Sequence, residues 1–455
     1  MILSSDSSRG SPAEKIPLVS DHVKDDIEPR NPTYARHYDV KMPVQLADLQ
    51  LYENGHPWDG YKFLRENAPV AWHEEQNFGS GYWSIVDHAD IRAVELDTKT
   101  FSSQVGGINL NYGAPETRHP DLYQAALNTM ICLDQPLHMP LRREHMPFFT
   151  PNYVEGLREK VAGKVDALLD GFEGAGPTFD FVSKFAAQLP MFTLCEMLGI
   201  PEDDRPQLIE WMHHLEMAAD TLARRGIGGI EPEFLMSFLT EMTNLFAYGR
   251  TLLNERRDNP KEDLLSAIAR AQINGELLPQ AYLDGSWLLI LFAGNDTTRN
   301  SLSGTIRLLT QFPEQRQKLI ANPDLLSGSV NEAIRMVSPV IYMRRTATRD
   351  VVIRDQKIAA GEKVVMYYGA ANRDPAVFEN PDSFDISRSN AEDHLAFGIG
   401  PHVCLGKRIA ILQLETSLSR LMARFPDIHV SGKVEMAPNN FVHAISRLDV
   451  SLNSG

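Results

Sequence analysis

The stretch Phe397-Gly-Ile-Gly-Pro-His-Val-Cys-Leu-Gly406 contains one of only three cysteines in the 455-residue chain. The residues that follow, 405–424, repeat apolar side chains at helical spacing, which places Cys404 at a helix N-terminus. Backbone N–H groups and the positive end of the helix dipole at that position favour a thiolate over a thiol. The neighbouring glycines allow tight turns and the close approach of a flat or bulky group. The stretch therefore predicts a nucleophile, a redox sensor or a metal ligand.

Cys404 could also serve a purpose that needs no special thiolate. A lone cysteine in a cytosolic protein is commonly a buried small apolar residue. A catalytic Cys–His pair is a further possibility, but His402 stands two residues away in a loop, where it is not obviously placed as a base. The stretch alone does not decide among these roles, so the rest of the chain must.

Composition describes an ordinary globular protein. Hydrophobic residues make up 43% of the chain, enough for one large domain or two closely packed lobes. The formal net charge of −16 argues against a general nucleic-acid or anionic-membrane binder, although a local basic face could recruit an acidic protein. Cys132, Cys195 and Cys404 are far apart, so neither a disulfide framework nor a structural zinc site is expected. A reducing cytoplasm fits this cysteine usage best.

Neither a signal peptide nor a transmembrane anchor is expected. Residues 1–32 lack the apolar core of a signal peptide, and we expect a flexible tail there. The longest apolar run, residues 287–293, is far shorter than the roughly 20 residues that cross a bilayer. Residues 33–455 contain no repeat or low-complexity linker, which predicts a single domain.

Hydrophobic periodicity predicts a helix-rich chain with strands near both ends. Residues 69–73 and 81–86 flank a Gly-containing turn and predict a β-hairpin. Helical spacing dominates from 141 to about 316, as in residues 154–172 and 234–257, and short strand patterns return afterwards at 351–354, 363–368 and 448–452. The expected fold class is therefore α+β, mainly α with small β-sheets.

Residues 280–312, bounded by prolines, predict a helix about 45 Å long. The Thr297 hydroxyl lies one turn after Ala293 and could bond its carbonyl, which would create a polar notch. Asp296 is an acid in an otherwise apolar helix. One face of this helix is made of small residues, Ala293, Gly294, Thr297, Ser301 and Gly304. This face either receives a bulky group or merely permits helix–helix packing, and the polar residues could be a solvated patch.

Glu332-Ala-Ile-Arg335 places two opposite charges at i, i+3 spacing on a predicted helix. Such a pair is usually worth only about 0.2–0.5 kcal/mol when exposed, so the pattern alone is nearly uninformative. It precedes a long loop, residues 371–388, that is rich in Asp, Asn and Pro and must be held by internal contacts if it is ordered.

Together these motifs resemble the signatures of the cytochromes P-450. The main matches are Phe397-x-x-Gly400-x-His402-x-Cys404-x-Gly406, Ala293-Gly-x-Asp296-Thr297 and Glu332-x-x-Arg335. Weaker matches include His138-x-x-x-Arg142 and Arg345-Thr-Ala. The resemblance runs from about residue 35 to the end of the chain. It implies the cytochrome P-450 fold, with haem between the long distal helix and the helix that follows the cysteine loop.

The resemblance implies haem b as the cofactor and Cys404 as the proximal thiolate ligand of its iron. Phe397 would shield the sulfur, while Gly400 and Gly406 would let the loop lie against the porphyrin. Four side chains would bind the two haem propionates: His402, His138, Arg142 and Arg345. A structural ion network on the cysteine side would consist of Glu332, Arg335 and Arg388.

On the distal side, the resemblance implies a monooxygenase that uses dioxygen. Ala293 and Gly294 would make room for dioxygen, while Asp296 and Thr297 would act in catalysis by delivering protons. Family members that use hydrogen peroxide on fatty acids tend to replace this acid–alcohol pair, so its presence favours dioxygen. An alternative of a different class is a haem-thiolate sensor, which would need only Cys404.

Electrons would come from another protein, because no strand followed by a Gly-x-Gly-x-x-Gly motif is found. The resemblance to soluble bacterial members implies an acidic ferredoxin and its NAD(P)H-dependent reductase. Docking is expected on the cysteine side, near Arg143, Lys407 and Arg408.

The substrate is expected to be hydrophobic. Apolar candidates for its pocket are Ile108, Leu110, Ile290, Val340, Ile341 and Phe441. Stretches such as Phe101-Ser-Ser-x-x-Gly-Gly-Ile look similar to the bacterial branch that hydroxylates n-alkanes and fatty acids at the terminal carbon. The alternative is a terpenoid or another cyclic hydrocarbon, and any of the six candidates could instead be ordinary core.

Overall fold

A computed structural model describes residues 16, 18, 44–74, 81–110, 119–212, 214–215, 231–437 and 439–452. Most of the predicted tail, residues 1–32, lies outside these ranges. Its described residues, Ile16 and Leu18, are half-buried and pack against the main apolar core. The turn of the predicted hairpin, residues 75–80, also lies outside the described residues.

Helices dominate the described residues, as the sequence predicts. The α-helices are α1 (Trp58–Asn67), α2 (His88–Leu96), α3 (Pro120–Leu127), α4 (His138–His145), α5 (Pro151–Asp170), α6 (Gln188–Leu198), α7 (Pro232–Asp258), α8 (Leu264–Arg270), α9 (Gln280–Gln311), α10 (Pro313–Ala321), α11 (Leu326–Val337), α12 (Tyr368–Ala371) and α13 (Lys407–Arg424). Short 3-10 helices cover Leu49–Tyr52, Met130–Cys132, Met146–Phe149, Glu202–Asp204, Pro323–Leu325, Ala391–Asp393 and Gly400–His402, and a π-helix covers Val182–Ala186. No helix in the described part of the chain is both long and apolar enough to cross a membrane.

The strands are short and form small sheets. They are β1 (Val70–His73), β2 (Tyr82–Ile85), β3 (Phe101–Ser102), β4 (Phe179–Asp180), β5 (Gln272–Ile273), β6 (Glu276–Leu277), β7 (Tyr342–Ala347), β8 (Val351–Ile353), β9 (Gln356–Ile358), β10 (Lys363–Tyr367), β11 (His429–Ala437) and β12 (Ala444–Ser451). Their orders are β1-β2-β10-β7-β3, β11-β12-β4, β5-β6 and β8-β9. The predicted hairpin is confirmed, since β1 pairs antiparallel with β2. Strand β10 runs parallel to β2 and antiparallel to β7, so Val364 lies between Trp83 and Arg345.

Helix α9 is the longest helix of the described chain and ends within one residue of the predicted range. Its last turn is followed by Phe312 and Pro313, and a proline cannot continue the hydrogen-bond ladder. A Cβ atom on Gly304 would lie 2.4 Å from Cγ2 of Val337, so α11 packs here only because position 304 is glycine. At this residue the small face therefore serves helix packing.

The main apolar core joins helices from both halves of the chain and fixes the site. Helix α13 packs against α5, α9 and α11. Because Cys404 lies just before the start of α13, this packing brings the cysteine loop close to α9. A second apolar cluster, which includes Tyr52, Tyr342 and Tyr367, lies beside the five-stranded sheet. The expected α+β class, mainly α with small β-sheets, is thus confirmed.

Candidate active site

The cysteine loop, residues 397–406, is a tight turn built on glycines. Gly398 and Gly400 have φ values of +62° and +68°, a left-handed conformation that side chains rarely adopt. The N–H of Cys404 donates to the carbonyl of Phe397 over 2.8 Å and closes the loop. Gly406 then caps α13. The sequence of the loop therefore dictates where the sulfur lies.

The Cys404 side chain lines a cavity and is exposed towards it. Burial raises the pKa of the Cys404 thiol, while the N–H of Gly406, the Arg142 guanidinium and the N–H of Lys407 oppose that rise without reversing it. The N–H groups of the helix N-terminus therefore act on the thiol pKa in the expected direction, but they do not offset the effect of burial. A bound metal ion would deprotonate a coordinating thiol outright, so formation of the Cys404 thiolate would depend on metal binding.

Helix α9 contributes a polar notch to the same cavity. Ala293, Gly294 and Thr297 line it. The Thr297 Oγ1 donates to the carbonyl of Ala293 over 3.0 Å, which is the i−4 bond that the sequence predicts. Ser301 repeats this bond to the Thr297 carbonyl one turn later. The hydroxyls thus form a ladder along the cavity side of α9.

Asp296 lies next to this notch but does not line the cavity. It is 6% exposed, and its Oδ1 accepts a hydrogen bond from Nδ2 of Asn295 over 3.0 Å. An Arg299 guanidinium nitrogen lies 3.7 Å from the same oxygen. The acid is therefore held within the protein one residue away from the Thr297 hydroxyl.

A group of basic side chains converges at another part of the cavity. His138, Arg142, Arg345 and His402 all line it. The ring centroids of His138 and His402 are 4.2 Å apart. Arg142 donates through Nη2 to the carbonyl of Val403 over 2.7 Å, which ties α4 to the cysteine loop. Burial, together with neighbouring cations, lowers the pKa of His138 to about 4 and that of His402 to about 2.

The cavity measures about 250 Å³, and residues of α4, α6, α9 and the cysteine loop line it.

Comparison with known proteins identifies the family. The sequence profile described as Cytochrome P450 matches residues 129–449. Over 410 residues the chain is 34% identical to the linalool 8-monooxygenase of Pseudomonas putida, with 90% of this chain and 98% of that protein covered. The chain belongs to the cytochrome P450 family.

Two further P450 proteins match over nearly their whole length. A methyl-branched lipid omega-hydroxylase of Mycobacterium tuberculosis is 31% identical over 427 residues, which cover 90% of this chain and 95% of that one. A Mycobacterium marinum cytochrome P450, solved in complex with pseudoionone, is 32% identical with a TM-score of 0.80 and coverages of 91% and 99%. This P450 is accordingly an oxidoreductase, a monooxygenase of the hydroxylase type.

The cofactor of the P450 family is haem bound by a cysteine thiolate, and the residues present fit it. Within the described ranges, four buried nitrogens of the basic group have no hydrogen-bond partner: Nδ1 and Nε2 of His138, Nδ1 of His402 and Nε of Arg345. A buried donor without a partner costs about 1–3 kcal/mol. Such a cluster suits carboxylates like the two haem propionates, for which these three side chains and Arg142 would be the donors.

Glu332, Arg335 and Arg388 form a buried ion network in this P450. Arg335 donates to both oxygens of Glu332, through Nε over 2.7 Å and Nη2 over 2.8 Å. Nε of Arg388 lies 3.1 and 3.2 Å from the same oxygens. Arg335 also donates to the carbonyls of Asn372 and Pro381, so the network holds the long loop 371–388 from inside.

The candidate pocket residues fall into two groups. Ile290 and Val340 line the cavity. The remaining four lie away from its wall. Leu110 and Ile341 belong to the second apolar cluster, and Phe441 packs against it. Ile108 is buried, and its carbonyl accepts the backbone N–H of Arg344 over 2.9 Å. All six are apolar, so the direction in which each side chain points, and not its hydrophobicity, separates the two groups.

The candidate docking residues lie beside the cysteine loop. Arg143 and Arg408 are exposed, whereas Lys407 is half-buried with its Nζ 5.4 Å from the centre of the Phe397 ring. Arg143 follows Arg142, whose side chain bonds the loop.

Sequence reasoning missed several residues of the cavity wall. Met130, Ile131, Leu289 and Met343 line it. Glu95 also lines it, buried between the cysteine loop and Arg345. No local pattern distinguishes Glu95 from an ordinary helical residue, because its partners come from distant parts of the chain.

Proposed function

We propose that this P450 binds haem b and hydroxylates a linear alkane or fatty acid at or near the terminal carbon, in a single domain that begins near residue 33. The observation that carries the proposal is one cavity that brings together the Cys404 sulfur, the Thr297 hydroxyl and a largely uncharged wall. When bound through Cys404, haem supplies the oxygen chemistry, and the thiolate favours O–O cleavage.

The chain's own contribution is proton handling and positioning. The Thr297 hydroxyl bonds the Ala293 carbonyl, and rotation about its Cα–Cβ bond would present the same hydroxyl to the cavity as a donor. Asp296, held by Asn295, can take up a proton and pass it towards Oγ1 of Thr297. Because Asp296 is shielded from solvent, the proton that it delivers would reach the Thr297 hydroxyl through protein groups.

The wall chemistry supports an apolar substrate. Among the described residues, the charged side chains of the wall are Glu95, Arg142 and Arg345, and they lie beside the two histidines that would bind the haem propionates. Elsewhere the wall is apolar, with surface from Leu289, Ile290 and Val340. Burial of an alkyl chain stabilises the complex by about 0.8 kcal/mol per CH₂ group. A substrate with a neutral chain end is favoured over one with a carboxylate, because the described wall offers no cation other than Arg142 and Arg345.

A terpenoid substrate is the second candidate. It is supported by the 34% identity to a linalool 8-monooxygenase and by the structural similarity to a P450 that holds pseudoionone. The relative named as a methyl-branched lipid omega-hydroxylase supports attack near a chain end.

Spectral titration tests the substrate class. Purified protein is titrated with n-alkanes, fatty acids and terpenoids, and displacement of the iron-bound water is followed by the shift of the haem absorption band. Saturable shifts with linear chains support the first proposal, whereas shifts with terpenoids alone would replace it by the second. A pyridine haemochrome spectrum of the same protein checks haem b.

Replacement of the ligand tests the haem assignment. Cys404→His is expected to abolish the thiolate signature of the reduced carbonyl complex, while Cys195→Ser, at a buried cysteine away from the cavity wall, retains it. A signature that persists in Cys404→His contradicts the assignment.

We also propose a ferredoxin and its NAD(P)H-dependent reductase as the electron source. Arg143 and Arg408 beside the cysteine loop offer positive charge to an acidic partner. Arg143→Glu and Arg408→Glu should lower the rate of haem reduction, and Lys357→Glu, an equal charge change on the β8–β9 hairpin, should not. Reduction without substrate hydroxylation would favour the sensor alternative. The free cysteines Cys132 and Cys195 accord with a cytoplasmic enzyme.

A further inference from the structure

Glu95 is a buried acid at the C-terminal end of α2. It is 3% exposed and lines the cavity. Its Oε2 accepts the N–H of Ile399, in the cysteine loop, over 2.6 Å. Its Oε1 accepts the hydroxyl of Tyr368, which is also 3% exposed. Both carboxylate oxygens therefore face donors, an arrangement that suits the ionised form.

The same acid lies beside Arg345. An Arg345 guanidinium nitrogen is 4.0 Å from Oε1 of Glu95, and that arginine also donates to the carbonyl of Arg344 over 2.9 Å. Burial raises the pKa of Glu95, and Arg345, the Tyr368 hydroxyl and the Ile399 N–H oppose that rise without reversing it. Glu95 thus joins the loop that carries Cys404 to Arg345, which would bind a haem propionate.

Such a charge acts on a nearby haem in a defined direction. In a poorly solvated cavity the field of a carboxylate is screened far less than in water. A negative charge stabilises ferric haem, which carries one more positive charge than ferrous haem, and so makes the reduction potential more negative. The hydrogen bond to Ile399 acts separately, by fixing the loop backbone.

We propose that Glu95 is a positioning residue that anchors the cysteine loop through Ile399 and keeps the haem reduction potential low through its charge beside Arg345. This inference rests on the haem site proposed above. It assigns a role to an acid that takes no part in proton delivery at Asp296 and Thr297.

Glu95→Gln separates charge from shape. Glutamine keeps an acceptor for the Ile399 N–H but removes the charge, so the potential, measured by spectroelectrochemical titration of the haem-loaded protein, is expected to become more positive. The matched control is Asp284→Asn on α9, a 5% exposed acid that is bonded to Arg250 and lies off the cavity wall. It should leave the potential unchanged. Equal potentials in wild type, Glu95→Gln and Asp284→Asn would overturn the proposal.

Tyr368→Phe gives a result of opposite sign. At a pH high enough to keep the Glu95 carboxylate ionised, loss of the hydroxyl removes a donor that partly neutralises it, so the potential should become more negative than in wild type. A merely structural role predicts shifts of the same sign in both variants, and that outcome overturns the proposal even if Glu95→Gln folds poorly. Failure of the haem site itself is distinguishable, because wild type would then lack the thiolate signature of the reduced carbonyl complex.

Discussion

Two Glu-x-x-Arg pairs in this chain provide a direct test of how burial changes the contribution of such a pair to the free energy of unfolding. Glu332 and Arg335 are 2.7 Å apart with both side chains 0% exposed. Glu155 and Arg158, on α5, are 2.8 Å apart at the same spacing, but their side chains are 64% and 49% exposed. The local geometry is nearly the same, so any difference in stability arises from the surroundings.

Glu332→Gln leaves Arg335 in a dry site without its anion. Removal of one partner from a buried pair costs about 3–5 kcal/mol, because the remaining charge can neither move to water nor find another counter-ion. The cost is compounded here because Glu332 also accepts from Arg388 and from the N–H of Asp385. With a urea dependence of about 3 kcal/mol per M, the unfolding midpoint should fall by about 1–1.7 M.

The assay is urea unfolding of the haem-loaded protein, followed by circular dichroism and by loss of the haem band. Glu155→Gln is the matched control and should leave the midpoint unchanged, since water solvates the Arg158 charge that remains. Haem retention should drop in Glu332→Gln, because the loop 371–388 loses its internal anchor. Equal midpoints for the two variants would refute the reasoning that burial, and not the motif, creates the effect.

Three further predictions concern the site and the pH dependence of stability. Thr297→Ala should lower the ratio of hydroxylated product to oxygen consumed by up to about 10²-fold, the low end of what a positioned proton donor contributes. The control Thr305→Ala removes the same kind of i−4 bond away from the cavity wall and should leave the ratio unchanged. An unchanged ratio in both variants would exclude the proton role of Thr297. Arg345→Met should raise the rate of haem transfer to apomyoglobin, because a propionate loses its cation; an unaltered rate would assign the propionates elsewhere. Burial lowers the pKa of His56 to about 3, so the folded state keeps this ring neutral while the unfolded state binds a proton below about 6.5. The contribution of His56 to the free energy of unfolding is therefore fully present above that pH and falls by about 2 kcal/mol between pH 7 and pH 5. In urea titrations at these two pH values, His56→Gln should lose correspondingly less stability than the wild type.

The sequence alone predicted the elements whose signals are local. The prolines and apolar spacing of residues 280–312 located α9 to within one residue, and the glycines of residues 397–406 indicated the turn that presents Cys404. The hairpin of β1 and β2 was predicted from strand patterns on either side of a glycine turn. These features depend on backbone conformations that neighbouring residues determine by themselves.

The sequence alone did not decide features that depend on the surroundings of a residue. The N–H groups at the start of α13 act to lower the thiol pKa of Cys404, but burial opposes them and the pKa is raised. Leu110 and Ile341 are as apolar as Ile290, yet they pack into the second core cluster and not onto the cavity wall. Glu95 carries no sequence signal at all, since its partners lie about 250 to 304 residues away.

What the sequence by itself determined is the chemistry at hand: a cysteine in a glycine turn before a helix, an acid–alcohol pair in a long helix, and a Glu-x-x-Arg pattern. What only the tertiary structure decided is which of these groups meet and in what medium. It encloses Cys404 and Thr297 in one cavity and buries Glu332 while leaving Glu155 in water. The physical reason is that pKa values and ion-pair energies depend on solvent exclusion, which arises from packing among segments far apart in the chain.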